Sequence, residues 1–238
     1  MDTLTKHQHR RYSRNILLPE IGKEGQIKLL GASVLIIGAG ALGTVVAMYL
    51  AASGVGHIGI CDFDTIDISN LQRQLSFTEN DLGKKKVEIL ADKLREINSE
   101  IRIDTYPELL RKDKANTIFA DYDVIVEGSD NPNTKYMVTD IAKNLSKPCI
   151  LGGVAQFAGQ VITILPGGTT YRDLFPEAAG DGEFMPCSVG GVLGPVPGIV
   201  GSIQATEVIK VITSAGTPLA GQLLTFDALT MSFRKIKI

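Results

Sequence analysis

Val34-Leu35-Ile36-Ile37-Gly38-Ala39-Gly40-Ala41-Leu42-Gly43 is the stretch whose reading decides the fold. An apolar strand runs into a glycine turn, and the turn opens an apolar helix spanning about residues 41–53. Glycines at such a point permit a tight reversal. They also let a phosphate approach backbone N–H groups at the positive end of a helix. A second strand, Ile58-Gly59-Ile60-Cys61, follows the Gly54-Val55-Gly56 turn and ends in Asp62-Phe63-Asp64. The acidic strand end lies about 20 residues beyond the glycines, where a carboxylate can hold ribose hydroxyls. Together these features predict a nucleotide seat built from Gly38, Gly40, Ala41, Gly43, Asp62 and Asp64; the glycine motif alone would be no more than a tight strand–helix turn.

The residues just past the acidic strand narrow the ligand. Ser69-Asn70-Leu71-Gln72-Arg73-Gln74 puts an arginine after a short polar loop, and Lys86 falls in the first turn of an amphipathic helix. In open α/β sheets such positions lie beyond the carboxyl ends of the strands, where ligands bind. A nicotinamide dinucleotide needs no pair of cations beside its ribose carboxylate. A triphosphate does: arginine forks onto phosphate oxygens and lysine acts as a point charge. For Lys86 by itself, flanked by Lys84 and Lys85, the plainer reading is a solvated helix face. Asp130 sits in Glu127-Gly128-Ser129-Asp130-Asn131, after the strand Val124-Ile125-Val126. It is either the N-cap of the next helix or a ligand for Mg²⁺ bridging phosphates.

Outward from these motifs the chain alternates strand and helix. An amphipathic helix is expected over 82–98, with Val87, Leu90, Leu94 and Ile97 on one stripe and Asn80-Asp81 as its cap. A strand near 101–106, a short helix and the 124–126 strand follow. Proline at 132 then opens a helix to about Leu145, and Cys149-Ile150-Leu151 forms another strand. This pattern implies a parallel sheet with right-handed crossovers. Residues 153–165 and 222–238 alternate instead like antiparallel strands, separated by a helix near 197–213. The expected fold class is therefore α/β, a Rossmann-like mixed sheet flanked by helices, parallel in its N-terminal part and antiparallel in its C-terminal part. One domain over 1–238 is expected. It comprises a helical arm over 1–30, a nucleotide-binding half over 31–155 and an antiparallel half over 156–238 with a mobile loop at 166–190. On charge pattern alone the arm, with Arg10, Arg11 and Arg14, reads as solvated.

Composition sets limits on partners. The 238 residues carry 24 Lys+Arg against 26 Asp+Glu, a formal net charge of −2, with no nucleic-acid or membrane footprint. Met1-Asp2-Thr3-Leu4 lacks a basic start followed by an apolar stretch, so no signal peptide is expected. No apolar run approaches the roughly 20 residues of a spanning helix. Three cysteines, Cys61, Cys149 and Cys187, fit a reducing cytoplasm and exclude a four-cysteine zinc site. Cys61 and Cys149 fall in apolar strands and read as inert. Cys187, in Phe184-Met185-Pro186-Cys187-Ser188-Val189-Gly190-Gly191, is a candidate reactive thiol or simply a loop residue.

At this point the chain resembles the MoeB/ThiF/HesA family, bacterial relatives of ubiquitin-activating enzymes. The likeness runs through Arg11-Tyr12-Ser13-Arg14-Asn15, the Gly38–Gly43 turn, Asp62-Phe63-Asp64, Ser69-Asn70-Leu71-Gln72-Arg73-Gln74 and Lys86. It continues through Gly128-Ser129-Asp130-Asn131, Gly152-Gly153, Tyr171-Arg172-Asp173-Leu174-Phe175-Pro176 and Gly201-Ser202-Ile203-Gln204-Ala205. The resemblance implies ATP-dependent adenylation of the C-terminal glycine of a small ubiquitin-like sulfur-carrier protein ending in Gly-Gly, by a cytoplasmic homodimer. It assigns ribose to Asp62, phosphates to Asn70, Arg73 and Lys86, Mg²⁺ to Asp130, and an arginine contributed by the partner subunit to Arg14. Asp64, Ser69 and Asn131 join the expected nucleotide contacts. Many such proteins carry two Cys-x-x-Cys zinc pairs. Here Thr169, Thr170 and Asp173 stand at one of them, so no zinc is expected. Cys187 matches a cysteine that in ThiF-like members engages the activated carrier. A non-catalytic scaffold that binds nucleotide and carrier is the alternative, and an NAD-dependent dehydrogenase a more distant one.

Overall fold

The computed structural model describes residues 3–176 and 190–238. Val34–Ile37 becomes the heart of β1 (Ser33–Ile37), inside one eight-stranded sheet of order β3-β2-β1-β4-β5-β6-β7-β8. β1 pairs in parallel with β2 (His57–Cys61) on one side and β4 (Val124–Glu127) on the other. β3 (Arg102–Tyr106) and β5 (Cys149–Ala155) extend the parallel part. From β5 onward the sheet is antiparallel, through β6 (Ala158–Ile164), β7 (Gln222–Asp227) and β8 (Ser232–Lys237). The mixed sheet expected from the change of pattern is thus observed.

The continuous apolar character of β1 has a direct cause. Val34 and Ile36 join a core under α4 (Ala41–Ser53), α5 (Lys86–Ile97) and α9 (Pro195–Thr213). Leu35 and Ile37 point the other way, into a second core under α6 (Lys112–Ala120) and α7 (Pro132–Asn144). A parallel strand covered on both faces has no polar side, so alternation vanishes. Each fully buried residue of β1 contributes about 1.5–3 kcal/mol. α5 shows the opposite signature, with Val87, Leu90, Ala91 and Leu94 buried and its charged residues outward, apart from Lys86.

Three local expectations change. α5 begins at Lys86, not at 82, because Gly83 takes a left-handed φ of +79° and breaks the chain direction. Asp81 belongs instead to a 3₁₀ turn over Glu79–Asp81, where its carboxylate accepts from the N–H and hydroxyl of Thr78 at 3.0 and 2.7 Å. The basic arm keeps Arg10, Arg11 and Arg14 exposed, as its charge pattern implies, but is anchored to the body at Tyr12. It forms α1 (Lys6–Arg11), α2 (Ser13–Ile16) and α3 (Gly22–Gly31), anchored by the buried Tyr12, whose hydroxyl accepts from Asn98 Nδ2 at 2.9 Å. Within the expected loop, Tyr171–Leu174 forms α8, closed by a reciprocal cap between Thr170 and Asp173. Among the described residues no helix is long and apolar enough to cross a membrane.

Candidate nucleotide site

β1 is flanked by β2 and β4, so the chain leaves it in opposite directions on its two sides, and a crevice opens beyond the carboxyl ends of β1 and β4. Two loops meet there. Gly38 follows β1 with φ +92°, and a Cβ on it would lie 3.1 Å from the backbone of Gly128 and Ser129 after β4. Gly43 lets the helix close on the turn: a Cβ there would stand 1.8 Å from the Gly38 carbonyl oxygen. Gly40 is the N-cap of α4 and no side chain caps it, which leaves the helix's first N–H groups for an incoming anion.

The crevice is a cavity of about 440 Å³. Gly38, Gly40, Ala41, Asp62, Asp64, Ser69, Asn70, Arg73, Lys86, Asp130 and Asn131 all line it. Gly43 serves the turn from behind. Arg14, on α2, is exposed and does not line the cavity of its own chain. Cys187 lies outside the described residues.

Each lining group is held by local structure. Asp62 receives the Ala39 N–H at 2.7 Å on one oxygen and the Asp64 N–H at 2.8 Å on the other, which binds the end of β2 to the glycine turn. Burial pushes its carboxyl above the ordinary aspartate range, against the pull of those N–H groups and of Lys86. Lys86 is buried and paired with Asp64 at 2.8 Å, so the plain reading of a solvated lysine is wrong for it although its neighbours Lys84 and Lys85 are exposed or half-buried. Asp67 caps the 3₁₀ turn Ile68–Asn70, with Asn70 Oδ1 accepting from the Asp67 N–H at 3.2 Å and Ser69 bonding the Asp67 carboxylate at 2.6 Å. One turn later Arg73 donates through Nη1 to the Ser69 carbonyl at 2.9 Å. Among the described residues no carboxylate pairs with it, which leaves most of its five donors for a ligand.

Asp130 resolves as well. The N-cap of α7 is Asn131, whose side chain accepts from the Thr134 N–H at 3.1 Å, with Pro132 in the first turn. Asp130 is therefore free of the capping role; it is exposed at the cavity lip with no ion pair among the described residues. A lone hard carboxylate beside a phosphate seat fits Mg²⁺, which binds commonly through one or two carboxylates plus substrate oxygens. Among the described residues no group of three or more His, Cys, Asp or Glu side chains could hold a metal by itself. Thr170 and Asp173 bond each other, Thr170 donating through its N–H and its hydroxyl to the Asp173 carboxylate.

Sequence reasoning missed part of the cavity. Leu109 and Leu110, after β3, supply an apolar wall, and Gln74 presents a buried amide whose carbonyl oxygen has no partner among the described residues. Beneath Asp130 lies a buried pair, Glu127 and Lys135. A charged residue ending the apolar run Val124-Ile125-Val126 was its one visible sign. A second cavity of about 420 Å³ runs over the antiparallel strands and shares Lys135, Gly153 and Val154 with the first.

The fold and crevice define an α/β protein with a cavity at the switch point of a doubly wound sheet, bounded by an uncapped helix-opening turn and by Arg73 and Asp130, neither in an ion pair among the described residues. Residues 12–238 match the ThiF family model, and the chain belongs to the ThiF family. A sulfur carrier protein adenylyltransferase of Thermus thermophilus is 42% identical over 240 residues, spanning 98% of this chain and 89% of that protein. The adenylyltransferase and sulfurtransferase MOCS3 of Arabidopsis thaliana is 44% identical over 236 residues, which are 99% of this chain and 51% of that protein. The chain thus spans about half the length of that relative. Among solved structures, E. coli MccB with ATP is similar at a TM-score of 0.84 and 27% identity, over 95% of this chain and 70% of that one. PaaA, at 24% identity and a TM-score of 0.85 over 100% of this chain and 76% of that one, is alike in fold.

Proposed function

We propose that this chain is an adenylyltransferase that uses ATP to activate the C-terminal Gly-Gly carboxylate of a small ubiquitin-like sulfur-carrier protein. The observation that carries the reading is one cavity holding a ribose-type carboxylate, Asp62, together with an unpaired Arg73 and an unpaired Asp130. The names of the Thermus and Arabidopsis relatives and the ATP complex of MccB support it.

The residues fit the chemistry. A C-terminal carboxylate has a pKa of about 3.5 and arrives ionised, so the reaction needs no general base. Its oxygen attacks the α-phosphorus, the bond to the β-phosphate oxygen breaks, and acyl-adenylate and pyrophosphate result. Asp62 holds the ribose, the α4 N-terminus receives phosphate, and Leu109 and Leu110 offer the base an apolar wall. Arg73, Asn70 and Lys86 face the charge that grows on the leaving pyrophosphate; Lys86 is already desolvated and oriented by Asp64. Mg²⁺ held by Asp130 would supply further charge neutralisation at the phosphates. Losing one such contact typically costs about 100- to 1,000-fold in rate. The second cavity, which shares Lys135, Gly153 and Val154 with the first, would give an extended tail a path towards the α-phosphate. In a homodimer Arg14, which does not line the cavity of its own chain, would enter the partner's site.

ATP–pyrophosphate exchange that depends on added carrier protein tests this reading. Exchange with one sulfur carrier from the same genome is the expected result. Absence of exchange with all of them, while ATP still raises the melting temperature, would leave a nucleotide-binding scaffold. Stabilisation by NAD and not by ATP would mean a redox protein.

A further inference from the structure

We infer that the buried Lys135–Glu127 pair is a positioning device for Asp130: it clamps both sides of Ser129 and so sets where the carboxylate beside the phosphates stands. The inference rests on the proposed nucleotide reading of the site and assigns a role to the wholly buried Glu127 and to Lys135, which borders the cavity but whose ammonium is taken up by three protein acceptors.

Lys135 lies on the inner face of α7 and is 5% exposed; Glu127 ends β4 and is wholly buried. The Lys135 ammonium donates to one Glu127 oxygen, to the Ser129 carbonyl at 2.8 Å and to the Gly152 carbonyl at 2.8 Å. Its three donors are matched by three acceptors. The other Glu127 oxygen accepts from the Ser129 N–H at 2.9 Å and from the Ser129 hydroxyl. Glu127 is steadied in turn, since its backbone carbonyl accepts from Gln204 Nε2 of α9 at 3.0 Å. Ser129 is therefore gripped at its N–H, its side chain and its carbonyl. On the other side Asn131 is locked as the N-cap of α7. Asp130 is the single link between two fixed residues, and among the described residues its carboxylate makes no ion pair.

Stability alone does not explain such a pair. Desolvating two charges is costly, and apolar replacement of a buried ion pair is often neutral or stabilising. The pair adds no net charge to the cavity, so it does not serve as another phosphate cation. What it does is geometric, and groups that orient metal-binding side chains typically cost about 10- to 100-fold in metal affinity or activity when removed.

Isothermal titration of ATP with and without Mg²⁺ separates this from a merely structural role. For the double variant Glu127→Gln/Lys135→Met, which leaves no unpaired buried charge, the quantity read is the ratio of ATP affinities with and without Mg²⁺, so that any change in Mg²⁺-free affinity from the altered cavity wall cancels. The gain in affinity on adding Mg²⁺ should shrink about 10- to 100-fold, and Lys135→Arg should restore most of it. Asp130→Ala is the internal control. If Asp130→Ala loses the Mg²⁺ effect while the folded double variant keeps it, the positioning role is overturned and the nucleotide reading stands. If all the variants keep the full Mg²⁺ effect, the assignment of Asp130 to the metal falls, and the positioning role with it.

Discussion

The two halves of the sheet solve opposite problems. In the parallel half, the side chains at the strand ends are tied down: Asp62 by two N–H groups, Lys86 by Asp64, Arg73 by the Ser69 carbonyl, Glu127 by Lys135 and Ser129. In the antiparallel half, β7 and β8 form a hairpin that keeps apolar residues exposed: Leu229 and Met231 at its turn, and Phe233 and Ile236 on opposite faces of the edge strand β8, beside Arg234 and Lys235. A site that stabilises growing charge must be organised before the ligand arrives. A surface that receives a folded partner must remain accessible, and unpartnered apolar residues on it mark such a use. Under the proposed function, nucleotide chemistry and carrier docking divide along the sheet, with Gly153 and Val154 lining both cavities.

The strongest way to break this division is to damage the ordered half. Arg73→Ala and Asp130→Ala should each lower carrier-dependent ATP–pyrophosphate exchange about 100- to 1,000-fold. Circular dichroism and melting temperature should stay close to wild type, because neither side chain is buried in the core. Near-normal exchange in both variants would remove these residues from the site.

Damage to the open half should look different. Replacing Phe233 and Leu229 together by serine should raise the apparent KM for the carrier about tenfold, the equivalent of roughly 1.4 kcal/mol of lost contact, and leave the KM for ATP unchanged. A rise in both constants would show that the halves are not separable in this way.

Much of the ordered half was legible in the chain. Val34–Ile37, the glycine turn and Asp62 declare themselves because their spacing is local and their residue types are demanded by backbone geometry. The pairing of Lys86 with Asp64 was not legible, since the two are 22 residues apart and meet only when the 65–85 segment folds back. Glu127 and Lys135 were hidden for a related reason: whether a lysine on a helix faces inward depends on which side of α7 packs against β4 and β5. The start of α5 was misplaced because Thr78, Asp81 and Gly83 form a capped turn of their own, which imitates a helix start. The long 166–190 stretch lacks any period, and the four-residue α8 inside it depends on the Thr170–Asp173 cap and on Arg172 gripping Asp140 at 2.8 Å. Neither contact leaves a periodic trace.

The pH dependence of binding sharpens the comparison further. Burial raises the Asp62 carboxyl above its ordinary value of 3.8. The sign follows: protonation is favoured in the folded state, so this group's contribution to stability is present below 3.8 and is lost as pH rises through the raised value. Ribose binding needs the ionised form and runs the other way, strengthening as pH rises through the same window. ATP titrated from pH 4.5 to 7.5 should therefore bind more tightly towards neutrality, and Asp62→Asn should flatten that dependence. Carrier affinity, set in the open half, should show no matching change. An ATP profile that is flat in the wild-type protein would remove Asp62 from ribose binding.

The smallest expected effect concerns Cys187, which lies outside the described residues. Adenylation ends when pyrophosphate leaves, and no thiol is needed for it. A thiolate would matter only afterwards, in attack on the acyl-adenylate carbonyl with AMP departing. The other two thiols are poor candidates for that step. Cys61 and Cys149 are buried in strands, and burial, with Asp62 and Glu108 beside it, pushes Cys61 up to about 12. Cys187→Ser should then leave exchange within about twofold of wild type while any covalent adduct between chain and carrier disappears from non-reducing gels. An adduct that persists would place the covalent step on another residue. A large loss of exchange would mean that Cys187 belongs with Arg73 and Asp130 in the nucleotide site rather than with the sulfur chemistry that follows it.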